Sequence, residues 1–80
     1  MSVDNRIKLY PNPTHDKIHI VNAQGIVHYV SLFDLLGNQL KLTRVGDSQT
    51  CVDLSGYTPG VYFIRIVSDD GITTRKVVKQ

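Results

Sequence analysis

Eighty residues allow one domain, close to the lower size at which a single core holds a chain without staples. Ten Val, seven Ile and six Thr stand against one Ala, one Met and no Glu, and all seven acids are Asp. That usage excludes a helical bundle or coiled coil and predicts an all-β fold. Net charge is +2, yet the positive excess sits in residues 71–80, where Arg75, Lys76 and Lys79 meet no acid. Three cations on one segment fall short of the broad basic, aromatic-interleaved surface that nucleic acid needs, so none is expected as a partner.

In chain order, Ile7–Tyr10 reads as a strand ended by Pro11-Asn12-Pro13, because each proline lacks a donor and restricts the residue before it. Lys17–Asn22 follows, with Ile18 and Ile20 on one face and His19 and Val21 on the other. Ile26–Phe33 is the longest strand. Strict alternation puts Ile26, His28, Val30 and Leu32 on one side and Val27, Tyr29, Ser31 and Phe33 on the other. Asp34-Leu35-Leu36-Gly37 is a type I turn in which Asp accepts backbone N–H groups and Gly37 supplies a positive φ.

Asn38–Thr43 is the return strand, with Leu40 and Leu42 expected inward, and Arg44–Ser48 is expected as a loop. Gln49–Leu54 carries Thr50, Val52 and Leu54 in phase. Cys51 is the only cysteine, so no intrachain disulfide can form. It reads as a structural thiol behaving as a small hydrophobe, although its phase is opposite to that of Val52.

The segment 55–60 is a corner, and Val61–Val67 is the most apolar strand, with Tyr62, Ile64 and Ile66 inward and the Tyr62 hydroxyl seeking a partner at the rim. Asp69-Asp70-Gly71 signals a type I′ hairpin into Ile72–Lys79. Seven short strands at this spacing predict an antiparallel Ig-like Greek-key β-sandwich. Residues 1–6 read as linker or appended residues and 7–80 as the domain. Residues 1–6 hold no apolar signal-peptide stretch, and no apolar run is long enough for a transmembrane segment.

Chemistry is sparse. His15, Asp16 and His19 resemble a metal cluster, but an extended chain would place the two imidazoles some 13 Å apart, at about 3.3 Å per residue. They are expected as solvated strand residues. There is no G-x-S-x-G elbow, phosphate-binding glycine loop or calcium loop. The expectation is therefore a protein that is not an enzyme, with no catalytic or metal-binding residue and no cofactor.

Two readings of the basic end stand side by side. It is an edge strand protected by charge, or an exposed basic edge that a partner receives by strand addition or charge complementarity. Phe63, Val61 and Val67 point away from the expected core. Left uncovered, they would form an apolar patch through which a weak homodimer could assemble.

The motifs carry more in order than singly. Tyr10-Pro11-Asn12-Pro13-Thr14, Asp34-Leu35-Leu36-Gly37, Val52-Asp53-Leu54-Ser55, Gly60-Val61-Tyr62-Phe63-Ile64-Arg65-Ile66 and Arg75-Lys76-Val77-Val78-Lys79 succeed one another across residues 7–80. Together they resemble the C-terminal sorting domain of type IX secretion cargo, the type A signal of the Por secretion system in Bacteroidetes.

The resemblance implies a seven-stranded antiparallel sandwich that directs an upstream cargo domain through the outer-membrane type IX translocon. Removal by a sortase-like cell-surface protease and anchoring of the cargo would follow. The implied location is the cell surface or extracellular space, reached through the periplasm. Pro11, Asn12 and Pro13 match the opening motif, Asp34 and Gly37 the middle turn, and Gly60 and Tyr62 the corner. Lys76, Val77, Val78 and Lys79 match the terminal segment associated with translocon recognition. Tyr57 departs from the leucine usual at its place. The competing class is a small Ig-like adhesive or carbohydrate-binding module. Zero Trp and no planar aromatic platform argue against sugar binding.

Overall fold

The computed structural model describes residues 6–80; residues 1–5 of the expected linker lie outside them. The described residues form seven strands: β1 (Ile7–Tyr10), β2 (Lys17–Asn22), β3 (Val27–Phe33), β4 (Gln39–Asp47), β5 (Gln49–Asp53), β6 (Gly60–Ser68) and β7 (Gly71–Lys79). They pair antiparallel in a three-stranded sheet, β1-β2-β5, and a four-stranded sheet, β4-β3-β6-β7. The two sheets face each other across one core, as the spacing of seven short strands predicts. Period-2 alternation decides which residues enter it. Ile7, Ile18, Ile20, Val52 and Leu54 come from the first sheet and its following turn. Val30, Leu32, Tyr62, Ile64, Ile66 and Val77 come from the second.

Five expectations are corrected. Val27 is buried and Ile26 exposed, the reverse of strict alternation. The register of β3 shifts between Val27 and Tyr29 against both neighbours, so a bulge at His28 inverts the phase at the strand's start. Asp69 holds the bulge in place. Its Oδ2 accepts the Ile26 amide at 3.0 Å, its own amide donates to the Ile26 carbonyl at 3.0 Å, and its Oδ1 lies 2.7 Å from His28 Nε2.

Leu40 and Leu42 point outward, Leu42 at 58% exposure. Pairing with β3 sets this phase, because core residues Leu32 and Val30 stand opposite Lys41 and Thr43. The segment expected as a loop extends β4 to Asp47. Being an edge strand, β4 is only partly covered from the other sheet, and Lys41 bridges the rim by donating from Nζ to the Asp53 carbonyl at 3.3 Å.

Cys51 is exposed, opposite His19 on the outer face of the three-stranded sheet. Thr50 and Val52 take the inward phase, so the thiol is not a core group. The final hairpin is not type I′ either. Ser68 pairs Gly71 around Asp69 and Asp70, and no described non-glycine residue has a positive φ. The Ser68 hydroxyl accepts the Asp70 amide at 3.3 Å, and the Asp69 carboxylate is directed to β3, so side-chain bonds shape this turn.

Candidate functional site: the clamped C-terminal strand

β7 lies at the edge of the four-stranded sheet, where backbone groups would face solvent unpaired. Its even-numbered residues direct their amides and carbonyls to that edge, because successive residues of an antiparallel strand bond to opposite sides. Residues 12–14 meet them. Asn12 Nδ2 donates to the Lys76 carbonyl at 2.9 Å, and the Val78 amide donates to Asn12 Oδ1 at 3.1 Å. The Thr14 amide then donates to the Val78 carbonyl at 2.9 Å, and the Gln80 amide donates to the Thr14 carbonyl at 2.8 Å. One primary amide and one residue of backbone thus replace a missing eighth strand, with Thr14 and Lys79 forming a parallel bridge.

The flanking prolines suit this task. They lack N–H groups, so they offer no backbone donor to compete with Asn12 Nδ2 for the Lys76 carbonyl. Pro11 and Pro13 are exposed, whereas Thr14 is buried and its hydroxyl both donates and accepts. Oγ1 donates to the Lys17 carbonyl at 2.6 Å and accepts the Asp16 amide at 3.2 Å. Thr14 was not singled out as a site residue from the sequence. Its position directly after Asn-Pro was the signal that could have found it.

The corner lies against the same strand. Gly60, Val61 and Tyr62 stand opposite Lys79, Val78 and Val77 in the β6–β7 register. The Tyr62 ring is buried, and its hydroxyl donates to the Thr58 carbonyl at 2.5 Å, the rim partner the sequence called for. Tyr57 packs on the core with its ring centroid 6.1 Å from that of Tyr62, so the aromatic at this place is absorbed by the core.

The middle turn closes β3 at this end of the sheet. Phe33, Phe63 and Lys76 form one cross-strand row, and Asp34 follows Phe33 directly. Asp34 Oδ1 accepts the Leu36 and Asn38 amides, each at 2.9 Å, and Oδ2 accepts Asn38 Nδ2 at 3.1 Å. The Asn38 amide and side chain, then the Leu36 and Gly37 amides, hold the Asp34 pKa below the usual carboxylate value. Gly37 has φ +90°, a conformation that L-residues rarely adopt.

The opening, middle, corner and terminal motifs, scattered over the sequence, therefore gather at one end of the four-stranded sheet. The terminal residues divide within that end. Lys76 is exposed on the outer face, and Val78 is half-buried beside Val61. Val77 is fully buried, so in the folded domain its side chain presents nothing to a partner. Lys79 is half-buried on the inward phase opposite Gly60.

His15 and His19 are both exposed, and His19 stacks on Tyr10 with centroids 5.4 Å apart. Among the described residues, no group of three His, Cys, Asp or Glu side chains could hold a metal ion. Among the described residues no helix is long and apolar enough to cross a membrane.

Over residues 8–80 the chain matches the family model described as the secretion system C-terminal sorting domain. No curated protein matches it.

Proposed function

Because the chain belongs to the family of type IX secretion-system C-terminal sorting domains, we propose that it is the folded handle by which the outer-membrane translocon takes up a cargo carried upstream. The reading is of a signal rather than a catalyst. The cargo reaches the periplasm first, the domain is then recognised and carried across, and a sortase-like protease removes it as the cargo is anchored at the cell surface.

The clamp carries the reading furthest. Residues matching the opening motif are bonded to backbone groups of the residues matching the terminal motif. A recognised terminal segment is therefore displayed in one conformation, and only by a completed fold.

The test fuses residues 1–80 to the C-terminal end of a reporter bearing an N-terminal signal peptide. It compares a type IX-competent bacterium with its translocon-null derivative. Surface display in the first and periplasmic retention in the second is the expected result; identical distribution in both would defeat the reading. Deleting Lys76–Gln80 is a poor probe, because it also removes Val77 from the core and the clamp's partners. Charge reversal at Lys76 and Lys79 leaves both in place. Retention of that double variant in the periplasm is expected, and normal display would show that their charge is not what is read.

A further inference from the structure

The outer face of the four-stranded sheet has a composition unlike the rest of the molecule. Its cross-strand rows are Arg44-Tyr29-Val67-Ile72, Leu42-Ser31-Arg65-Thr74 and Gln39-Phe33-Phe63-Lys76, with Val61 and Val78 below them. These rows hold three cations and no acid. The cations are interleaved with rings: the Arg65 guanidinium lies 4.9 Å from the Phe33 centroid and that of Arg44 5.9 Å from Tyr29. Among the described residues, no carboxylate forms an ion pair with Arg44, Arg65 or Lys76. A guanidinium stacked on a ring keeps its N–H edge available for bidentate binding of a carboxylate.

Beside Arg65 an open groove of about 310 Å³ is lined by Phe33, Asp34, Leu35, Gly37, Phe63 and Thr74; the Asp34 carboxylate, the one acid at its wall, is engaged by the Leu36 and Asn38 amides and by Asn38 Nδ2. Leu35 and Leu36 stand at 67% and 87% exposure on the turn that borders it. The β7 edge is closed to one competing mode of use. Along β7 the edge groups of Lys76 (C=O), Val78 and Gln80 (N–H) are taken by Asn12 and Thr14, so the terminal segment cannot accept an added strand there. What it offers is the outer face, through Lys76 and Val78.

We propose that the outer face of the β4-β3-β6-β7 sheet is the docking surface of this domain, and that its occupant is an acidic, apolar protein segment. Its carboxylates meet Arg44, Arg65 and Lys76, and its aliphatic side chains enter the Phe33–Phe63 groove. The partner's identity as a translocon component rests on the sorting function proposed above; the chemistry of the surface does not. A second copy of this chain is disfavoured as occupant, because laying the face on itself brings cations against cations.

Two measurements decide it. In the first, the isolated domain is titrated by NMR with a hexapeptide alternating Glu and Leu and with its Lys-Leu counterpart. The Glu-Leu peptide should bind about tenfold or more tightly than the Lys-Leu peptide, shift the resonances of Phe33, Phe63 and Arg65, and lose about tenfold in affinity to the Arg65→Glu variant. Equal affinity for both peptides, or shifts confined to the three-stranded sheet, would overturn the proposal. So would a dimer in light scattering that Arg65→Glu abolishes.

In the second, reporter fusions carrying Arg44→Glu, Arg65→Glu or Lys8→Glu are compared for surface display, with thermal midpoints checked on the isolated domains. Lys8 is exposed on the opposite sheet, so its reversal makes the same charge change away from the groove. Display should fall about tenfold for the first two and stay unchanged for Lys8→Glu. Unchanged display of Arg65→Glu at an unchanged midpoint, or equal loss for all three, counts against the surface. If the unsubstituted fusion is not displayed, the sorting function fails and the peptide titration alone decides the chemistry of the face.

Discussion

Replacing Asn12 by alanine removes both ends of one primary amide, and the structure says what each end does. Nδ2 donates to the Lys76 carbonyl and Oδ1 accepts the Val78 amide, at 2.9 and 3.1 Å. Both bonds lie at the exposed rim, so the freed backbone groups turn to water and are not stranded in the core. Each bond then contributes its net value, about 0.5–1.5 kcal/mol, and the exposed position favours the lower half of that range. Asn12→Ala should therefore cost about 1–2 kcal/mol, or roughly 4–16 °C of thermal midpoint for a domain of this size.

Asn12→Asp separates the two ends. Its carboxylate still accepts from Val78 but sets an anionic oxygen against the Lys76 carbonyl, so at neutral pH it should be no better than alanine. Circular dichroism melts give the midpoint. Amide hydrogen exchange of Val78 reports the clamp itself, since that amide faces the edge and its partner in the described structure is Asn12. An Asn12→Ala domain that melts within about 1 °C of the parent and keeps Val78 protected would refute the assignment of edge closure to this side chain.

Three more outcomes are expected. Tyr62→Phe leaves the Thr58 carbonyl without its buried partner and should cost about 1–2 kcal/mol in urea unfolding, with little change in the folded circular dichroism spectrum. Val77→Ala removes packing from a fully buried site and should cost about 2 kcal/mol, lowering display through stability; a stabilising second-site change should restore display, because the side chain is not presented to a partner.

The third concerns acid. Asp34, Asp53 and Asp69 all have folded pKa values below the ordinary 3.8: Asp34 through Asn38, Asp53 through the Ser55 hydroxyl and amide, and Asp69 through the Ile26 amide and His28. A depressed folded pKa makes the unfolded chain bind protons first, so their stabilisation is full above the unfolded value and is lost as pH falls through the folded ones. Midpoints should hold level in this respect down to about pH 5 and drop below about pH 4, with a shallower drop in Asp34→Asn.

The sequence disclosed strands better than faces, and local contacts better than distant ones. β2 is legible in bounds and phase, and β6 in phase and to within one residue at each end, because in each the apolar residues alternate onto one buried side. β4 was not. Leu40 and Leu42 outweigh Lys41 and Thr43 in hydrophobicity, yet pairing with β3 decides the phase, and an edge strand with a half-covered inner face tolerates the inversion. The phase of Val27 depends on a bulge stabilised by Asp69, more than forty residues away. The Asp34 turn was readable because all its partners lie within four residues. The clamp joins residues 64 and 66 apart, so no local pattern announces that Asn12 closes an edge. The motifs marked which residues matter; folding showed that they meet.

Edge closure also has a thermodynamic consequence for whatever grips this domain. A loose tail would have to be ordered by its partner, at about 1–2 kcal/mol of backbone entropy per residue. Here Lys76–Gln80 are held on one side by β6 through Lys79 and on the other by Asn12 and Thr14. Their ordering is completed when the sandwich folds, and the partner meets a preformed relief. Contacts that would otherwise be spent on immobilising the segment remain as affinity. Loosening the clamp should therefore weaken capture even where every exposed side chain is unchanged.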